Sequence, residues 1–121
     1  MWLLDDVIAA VASAPGAGRR GIVRVAGPGV QSIVEGMIGR RANDSAGEPF
    51  ATRATRLETM LNVQGLSTPL PAALFVWPDS RSYTGQPTIE IHSVGSPPIL
   101  NAIVEDLVRR GARVARRASS H

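Results

Sequence analysis

The glycine-rich segment near the N-terminus, and the residues directly after its last glycine spacing, constrain the fold most. Residues 13–27, SAPGAGRRGIVRVAG, contain the spacing G-x-G-x-x-G at Gly16, Gly18 and Gly21. A dinucleotide-binding loop needs a helix directly after this spacing, because the N-terminus of that helix holds the pyrophosphate. The segment GIVRVAG is instead rich in β-branched residues and ends at a Gly-Pro step, which predicts a strand. We therefore predict a loop between two strands and no dinucleotide site.

The composition excludes several other classes of site. All 13 basic residues are arginines, so a Walker-type phosphate loop, which needs a lysine, is excluded. Cysteine is absent, which excludes disulfides and thiolate nucleophiles. With histidine at only two positions, we expect no metal site. The longest apolar runs are far shorter than the roughly 20 residues that span a bilayer, and Asp5 and Asp6 stand where a signal peptide would be basic. We expect one cytoplasmic domain with no membrane contact.

The order of apolar patterns predicts an α+β fold. The apolar positions Val30, Ile33, Val34, Met37 and Ile38 follow helical spacing, and Gly39 stands at the expected C-cap, which predicts a first helix over about residues 29–38. Ser96 as N-cap, Pro97 at the first position and Gly111 as C-cap frame a second helix. Strands are predicted at residues 5–13, 21–27, 53–62, 70–77 and 88–93, with ARVARR as a candidate last edge strand. Residues 41–52 should form a mobile surface loop. We predict a mixed, largely antiparallel sheet of about five strands with two helices on one face.

Two charged residues interrupt strands that are otherwise apolar. Arg24 lies in the middle of GIVRVAG, where it must either extend to solvent at a sheet edge or be held by an acidic partner or ligand; the sequence alone slightly favours the first. Glu90 in TIEIH is either exposed on an antiparallel strand or pairs with Arg24 or a ligand. His92, on the same face as Glu90, fits a surface or structural histidine better than a catalytic base.

The arginines form two clusters, which offer a second interpretation of the chain. Arg19 and Arg20 lie in the glycine-rich segment, and the C-terminal cluster contains Arg109, Arg110, Arg113, Arg116 and Arg117. Such clusters are either solvated charge or a surface for a polyanion such as RNA. The small number of aromatic residues favours solvated charge.

The segments DDVIAAVASAPGAGRRGIVRVAGP, LPAALFVWPDSRSYTGQPTIEIH and ILNAIVEDLVRRGARVAR together resemble the N-terminal domain of the tRNA modification GTPases, the MnmE or TrmE family. The resemblance covers nearly the whole chain. It implies a fold related to the folate-binding part of the glycine cleavage T-protein, a homodimer, and a bound 5-formyl-tetrahydrofolate or related tetrahydrofolate. In the family, an arginine of the GIVR strand and a glutamate of the EI strand bind the folate, and the matching residues here are Arg24 and Glu90.

Some family features differ or are absent. The family's GED is GQP at residues 85–87, and its HGG is either SVG at residues 93–95 or shifted to begin at His92. Its downstream NGK lysine, which also contacts the folate, has no counterpart. The helical and GTP-binding domains are also absent, so we expect residues 1–121 to be a single isolated N-terminal domain.

Our leading hypothesis is therefore a folate-binding and dimerisation module without catalytic residues of its own. Through the full-length protein it would support one-carbon-dependent modification of the tRNA wobble uridine, with tRNA and an FAD-dependent protein as partners. The alternative is a structural or RNA-contacting module that has lost the folate site. An enzyme related to aminomethyltransferases is the third hypothesis.

Overall fold

Six strands form one sheet in the computed structural model, which describes residues 6–12, 20–38, 51–78 and 85–115. In chain order the elements are β1 (Ile8–Val11), β2 (Arg20–Ala26), α1 (Val30–Glu35), β3 (Thr55–Leu61), β4 (Leu70–Trp77), β5 (Thr88–Val94), α2 (Pro97–Arg109) and β6 (Arg113–Val114). The strand order is β3-β4-β5-β2-β1-β6, and among these strands of the described ranges only the β1–β6 pair is parallel. The predicted α+β class with a mixed, largely antiparallel sheet is confirmed, and the sixth strand is the short edge strand at residues 113–114.

Alternating side chains of the sheet form one core with both helices. Val23 and Val25 of β2 and Ile89 and Ile91 of β5 are fully buried on the face that the helices cover. The helices contribute further side chains to the same cluster, namely Val30, Val34, Leu100, Ile103 and Leu107. Each buried side chain of this size contributes about 1.5–3 kcal/mol relative to an exposed one. Both helices therefore lie on the same face of the sheet, as predicted.

The second helix has the predicted boundaries. Ser96 is the N-cap residue and proline occupies the first turn, although the Ser96 hydroxyl makes no capping hydrogen bond. At the other end Gly111 has φ 119°, and the N–H groups of Gly111 and Ala112 donate to the carbonyls of Val108 and Leu107, both at 3.0 Å. This pair of hydrogen bonds forms a Schellman motif, which requires the left-handed conformation that glycine adopts most easily. It turns the chain directly into β6.

The first helix is shorter than predicted. It ends at Glu35, with Gly36 as the C-cap residue, and the proposed cap at Gly39 lies outside the described residues. Met37 and Ile38 are still buried, because the N–H of Met37 donates to Val34 and that of Ile38 to Glu35 in i→i+3 turns. Helical spacing of apolar residues predicts which side chains are buried. Tight turns after the end of a helix can bury the side chains that a further helical turn would bury. The pattern therefore overstated the helix by about one turn.

Two predicted loops fall largely outside the described residues. Of residues 41–52, the structure describes only Ala51 and Thr52, and residues 13–19 of the glycine-rich segment are likewise not described. These predictions therefore remain predictions. Neither helix in the described parts of the chain is long and apolar enough to cross a membrane.

The third glycine of the G-x-G-x-x-G spacing has a packing role. Gly21 is the second residue of β2, and a Cβ at this position would lie 2.7 Å from a methyl carbon of Leu100 and 3.1 Å from the Cα of Gly95. Such distances are below van der Waals contact, so a side chain here would push α2 away from the sheet. A strand follows this glycine, as predicted, and its small size lets α2 approach β2.

We expect Gly21→Ala to lower the free energy of unfolding by about 1–3 kcal/mol, since the added methyl group overpacks the contact with Leu100. Urea unfolding followed by circular dichroism measures the change. The double variant Gly21→Ala/Leu100→Ala should lose less stability than the sum of the two single variants, because the new methyl group enters the space that Leu100 leaves. Strict additivity of the two losses would contradict this account of Gly21.

Candidate functional site

The face of the sheet opposite α1 and α2 carries the charged residues that interrupt the strands. We call it the open face. Its central positions alternate with the buried core positions, and their side chains are half-buried or exposed, except that of the small residue Ala73 on β4, which is buried. These positions are Ile22, Arg24 and Ala26 of β2, Glu90 and His92 of β5, Ala73 and Phe75 of β4, and Arg56 and Glu58 of β3.

Arg24 and Glu90 lie directly opposite each other at the centre of the sheet. Strands β2 and β5 are antiparallel neighbours, and their register pairs Arg24 with Glu90. The Nε and Nη2 atoms of Arg24 donate to Oε2 of Glu90 at 3.0 and 2.8 Å. The side chain of Arg24 is 36% exposed and that of Glu90 is 12% exposed. Hydrogen bonds between two charged groups in such a half-buried place are stronger than those between neutral groups.

The interpretation of Arg24 as an arginine reaching solvent at a sheet edge is wrong. β2 lies between β5 and β1, in the interior of the six-stranded sheet. An arginine in an interior strand cannot reach solvent past the sheet edge, and the half-buried guanidinium of Arg24 is instead held on the open face by Glu90. The two residues that sequence analysis singled out therefore form one site.

His92 extends the pair into a row of contacts. Its Nε2 lies 3.1 Å from Oε1 of Glu90, and because a carboxylate only accepts hydrogen bonds, we assign the proton to Nε2. The imidazole also contacts the ring of Phe75, with centroids 4.4 Å apart and an interplanar angle of 51°. Both oxygens of Glu90 thus receive hydrogen bonds, and His92 is oriented from two sides. Of the two roles that the sequence favoured for His92, surface or structural, these contacts fit the structural one.

An open depression of about 540 Å³ adjoins this row on the same face. His92 forms part of its wall, and Arg20 of β2 and Arg56 of β3 border it. The guanidinium carbon of Arg56 lies 5.5 Å from the centroid of Phe75, within the range of a cation–π contact. Arg56 also pairs with Glu58 at 3.0 Å, in a place where both side chains are more than half exposed. The depression therefore offers two cations, one acid and a histidine next to the Arg24–Glu90 pair.

Part of the C-terminal arginine cluster forms ion pairs within the chain. Arg110 donates to Asp106 at 3.2 Å, and the buried Asp106 also accepts the backbone N–H of Gln64 at 3.1 Å. Arg113 pairs with Asp6. Asp106 was not among the residues predicted from the sequence, although its position four residues before Arg110 on one helix is a signal for such a pair. These arginines stabilise the fold, which weakens the case for an RNA surface; Arg19, Arg116 and Arg117 lie outside the described residues.

Comparison with known proteins identifies the family. Residues 7–118 match the family described as "GTP-binding protein TrmE N-terminus". The chain belongs to this family. The tRNA modification GTPase MnmE of Rhodopirellula baltica is 38% identical over 116 residues, which cover 93% of this chain and 23% of that protein. The MnmE proteins of Hydrogenovibrio crunogenus and Stutzerimonas stutzeri are 36% and 35% identical over 111 residues, which cover 92% of this chain in both cases and 23% and 22% of those proteins.

This membership confirms the resemblance that the three sequence segments indicated. The chain is an N-terminal domain of the tRNA modification GTPase family. It spans about a quarter of the length of these curated relatives, whose coverage is 22–23%. In this TrmE N-terminal domain, the GIVR arginine and the EI glutamate are the two residues that form the central ion pair.

We expect Arg24→Met to lower the free energy of unfolding by about 1–3 kcal/mol, because Glu90, only 12% exposed, then loses the guanidinium while methionine preserves the packing of the stem. Urea unfolding measures this change in the free energy of unfolding. Arg109→Met, at the exposed end of α2, removes the same charge and should change stability by no more than about 0.5 kcal/mol. Equal effects of the two substitutions would show that the pair contributes nothing beyond net charge.

Proposed function

We propose that this domain binds a tetrahydrofolate of the 5-formyl type on its open face and forms a homodimer. In the longer protein, the bound cofactor would supply a one-carbon unit for modification of the tRNA wobble uridine in the cytoplasm. Contacts with tRNA and with the family's FAD-dependent partner would involve the full-length protein. The observation that carries the proposal is the Arg24–Glu90 ion pair, which lies on adjacent interior strands and on the face that the helices leave uncovered.

The chemistry of the pair suits a pterin ring. The pterin presents an amino group and ring N–H groups along one edge, and the carboxylate of Glu90 can accept such donors beside or in place of the bonds from Arg24 and His92. The guanidinium of Arg24 donates in a planar array, which suits carbonyl or carboxylate oxygens. The contact between His92 and Glu90 fixes the orientation of the carboxylate before a ligand arrives. A preoriented acceptor loses less conformational entropy on binding.

Calorimetric titration of the folded chain with 5-formyl-tetrahydrofolate tests the site. We expect binding by the wild type and a loss of about tenfold or more in affinity for Glu90→Gln and Arg24→Gln, since each removes a charge-assisted hydrogen bond. Arg109→Gln, which changes the net charge equally at a distance from the open face, should bind as the wild type does. Circular dichroism establishes that each variant is folded.

The absence of binding heat at several temperatures, with a folded wild type, would refute the folate proposal. Binding that Arg24→Gln and Glu90→Gln leave unchanged would refute only the assignment of the site.

Exposed apolar residues beside the depression support the proposed dimer. Met60 and Val94 are each 48% exposed, and both border the depression on the open face. Exposed apolar side chains that lie close together are typical of contact surfaces between proteins.

Light scattering coupled to size-exclusion chromatography should therefore give the mass of a dimer. We expect Met60→Glu and Val94→Glu to shift the mass toward the monomer, because a carboxylate in an apolar contact must lose its hydration. Val108→Glu is the matched control, because Val108 is 40% exposed on α2 and does not border the open face. A monomeric wild type at every concentration would refute the dimer, and an equal shift by all three variants would place the contact elsewhere.

A further inference from the structure

The depression on the open face contains two cations that neither the core nor the Arg24–Glu90 pair requires. Arg20 forms no ion pair with any residue in the described parts of the chain. Arg56 is paired with Glu58, but both side chains are more than half exposed, at 54% and 71%. An ion pair this exposed contributes only about 0–1 kcal/mol, so a ligand anion can displace Glu58 with little loss. Both guanidiniums are thus available to an anionic group.

The register of the sheet gives the positions of these cations relative to the central pair. Arg56, Phe75, Glu90 and Arg24 occupy one row across four neighbouring strands. The Cα of Arg56 therefore lies two strand spacings from that of Glu90, about 10 Å away. Arg20 lies four residues before Arg24 on the same strand, which places its Cα about 13 Å from that of Arg24. The two arginines therefore lie at diagonally opposite corners of the depression, and a ligand whose head group contacts Glu90 would place an acidic end between them, about 10 Å away.

The wall between the central pair and the depression is aromatic. His92 contacts both Glu90 and Phe75, and the guanidinium of Arg56 lies over the Phe75 ring. A flat aromatic linker can lie along such a surface by stacking and edge contacts. The face therefore presents, in order, a carboxylate with its arginine, an aromatic strip and a cationic region.

We propose that Arg20 and Arg56 bind the carboxylates of the glutamyl end of a tetrahydrofolate, and that the domain prefers forms with several γ-linked glutamates. The inference rests on the proposed function, because it takes the pterin ring to lie at Arg24 and Glu90. A tetrahydrofolate carries its glutamate beyond an aminobenzoyl group, which matches the order of carboxylate, aromatic strip and cations on the open face. Each added glutamate brings another carboxylate to the depression, where Arg20 and Arg56 can each bind one.

The test compares the mono- and triglutamyl forms of 5-formyl-tetrahydrofolate by calorimetry with the 121-residue chain. We expect the triglutamyl form to bind about tenfold more tightly, the effect of one or two added charge-assisted hydrogen bonds. Arg20→Gln and Arg56→Gln should each reduce this preference, and their combination should abolish it. Raising the ionic strength from about 0.1 M to about 0.5 M should also reduce it, because salt screens charges at an exposed site.

Glu58→Gln is expected to change the affinity in the opposite direction to the arginine variants. It removes the acid that competes for Arg56, so the affinity for the triglutamyl form should rise. Arg109→Gln is again the charge-matched control and should leave the preference as it is in the wild type. Arg24→Gln and Glu90→Gln should weaken the binding of the monoglutamyl and triglutamyl forms by the same factor. This result would distinguish contacts with the head group from contacts with the tail.

The outcomes distinguish the two proposals. Equal affinity for both forms in the wild type, or a preference that the double Arg20→Gln/Arg56→Gln variant retains, would overturn the inference and leave the folate proposal standing. Binding of neither form would overturn both. A preference that disappears in the double variant and increases with Glu58→Gln would establish the depression as the site of the acidic tail.

Discussion

The pairing of β2 with β5 is the interaction on which the rest of the structure depends. Seven consecutive residue pairs join the two strands, from Arg20 with Val94 to Ala26 with Thr88. A slip of one residue would move Arg24 or Glu90 into the apolar core and expose Val23, Val25, Ile89 or Ile91. The apolar alternation and the ion pair therefore demand the same register. Because the paired charges are 66 residues apart in the chain, this register also holds the two halves of the domain together.

Much of the fold could be predicted from local patterns. The continuous apolar run at residues 70–77 matches β4, and the proline, serine and glycine signals around α2 gave its boundaries. The length of the first helix was overestimated, because turns at Met37 and Ile38 bury the same side chains that a further helical turn would bury. Local patterns thus predicted which residues are buried better than they predicted backbone geometry.

The candidate site was predicted only in part, for a topological reason. Arg24 and Glu90 stood out because each interrupts an apolar strand, but their pairing depends on which strands are neighbours. The order β3-β4-β5-β2-β1-β6 places the second and fifth strands side by side, and no local pattern encodes that crossover. The same holds for the contact of Arg56 with Phe75 and for the bond between Asp106 and Gln64, which join distant segments. Contacts of this kind require the assembled sheet.

Stability alone does not account for the ion pair. Replacing a buried ion pair by apolar residues of similar volume is often neutral or stabilising by about 1–4 kcal/mol, because the charges lose hydration that their attraction only partly restores. The neighbouring positions Ile22 and Ala26 show that this part of the open face accommodates apolar side chains. A chain selected for stability alone would therefore gain little from Arg24 and Glu90. The half-buried environment does, however, strengthen any further hydrogen bond made to the two groups, since the local dielectric is lower than that of water. An oriented carboxylate, held by a guanidinium and an imidazole on the face opposite α1 and α2, therefore adds little to the stability of a sheet, and its chemistry suits the polar donors and acceptors of the proposed ligand.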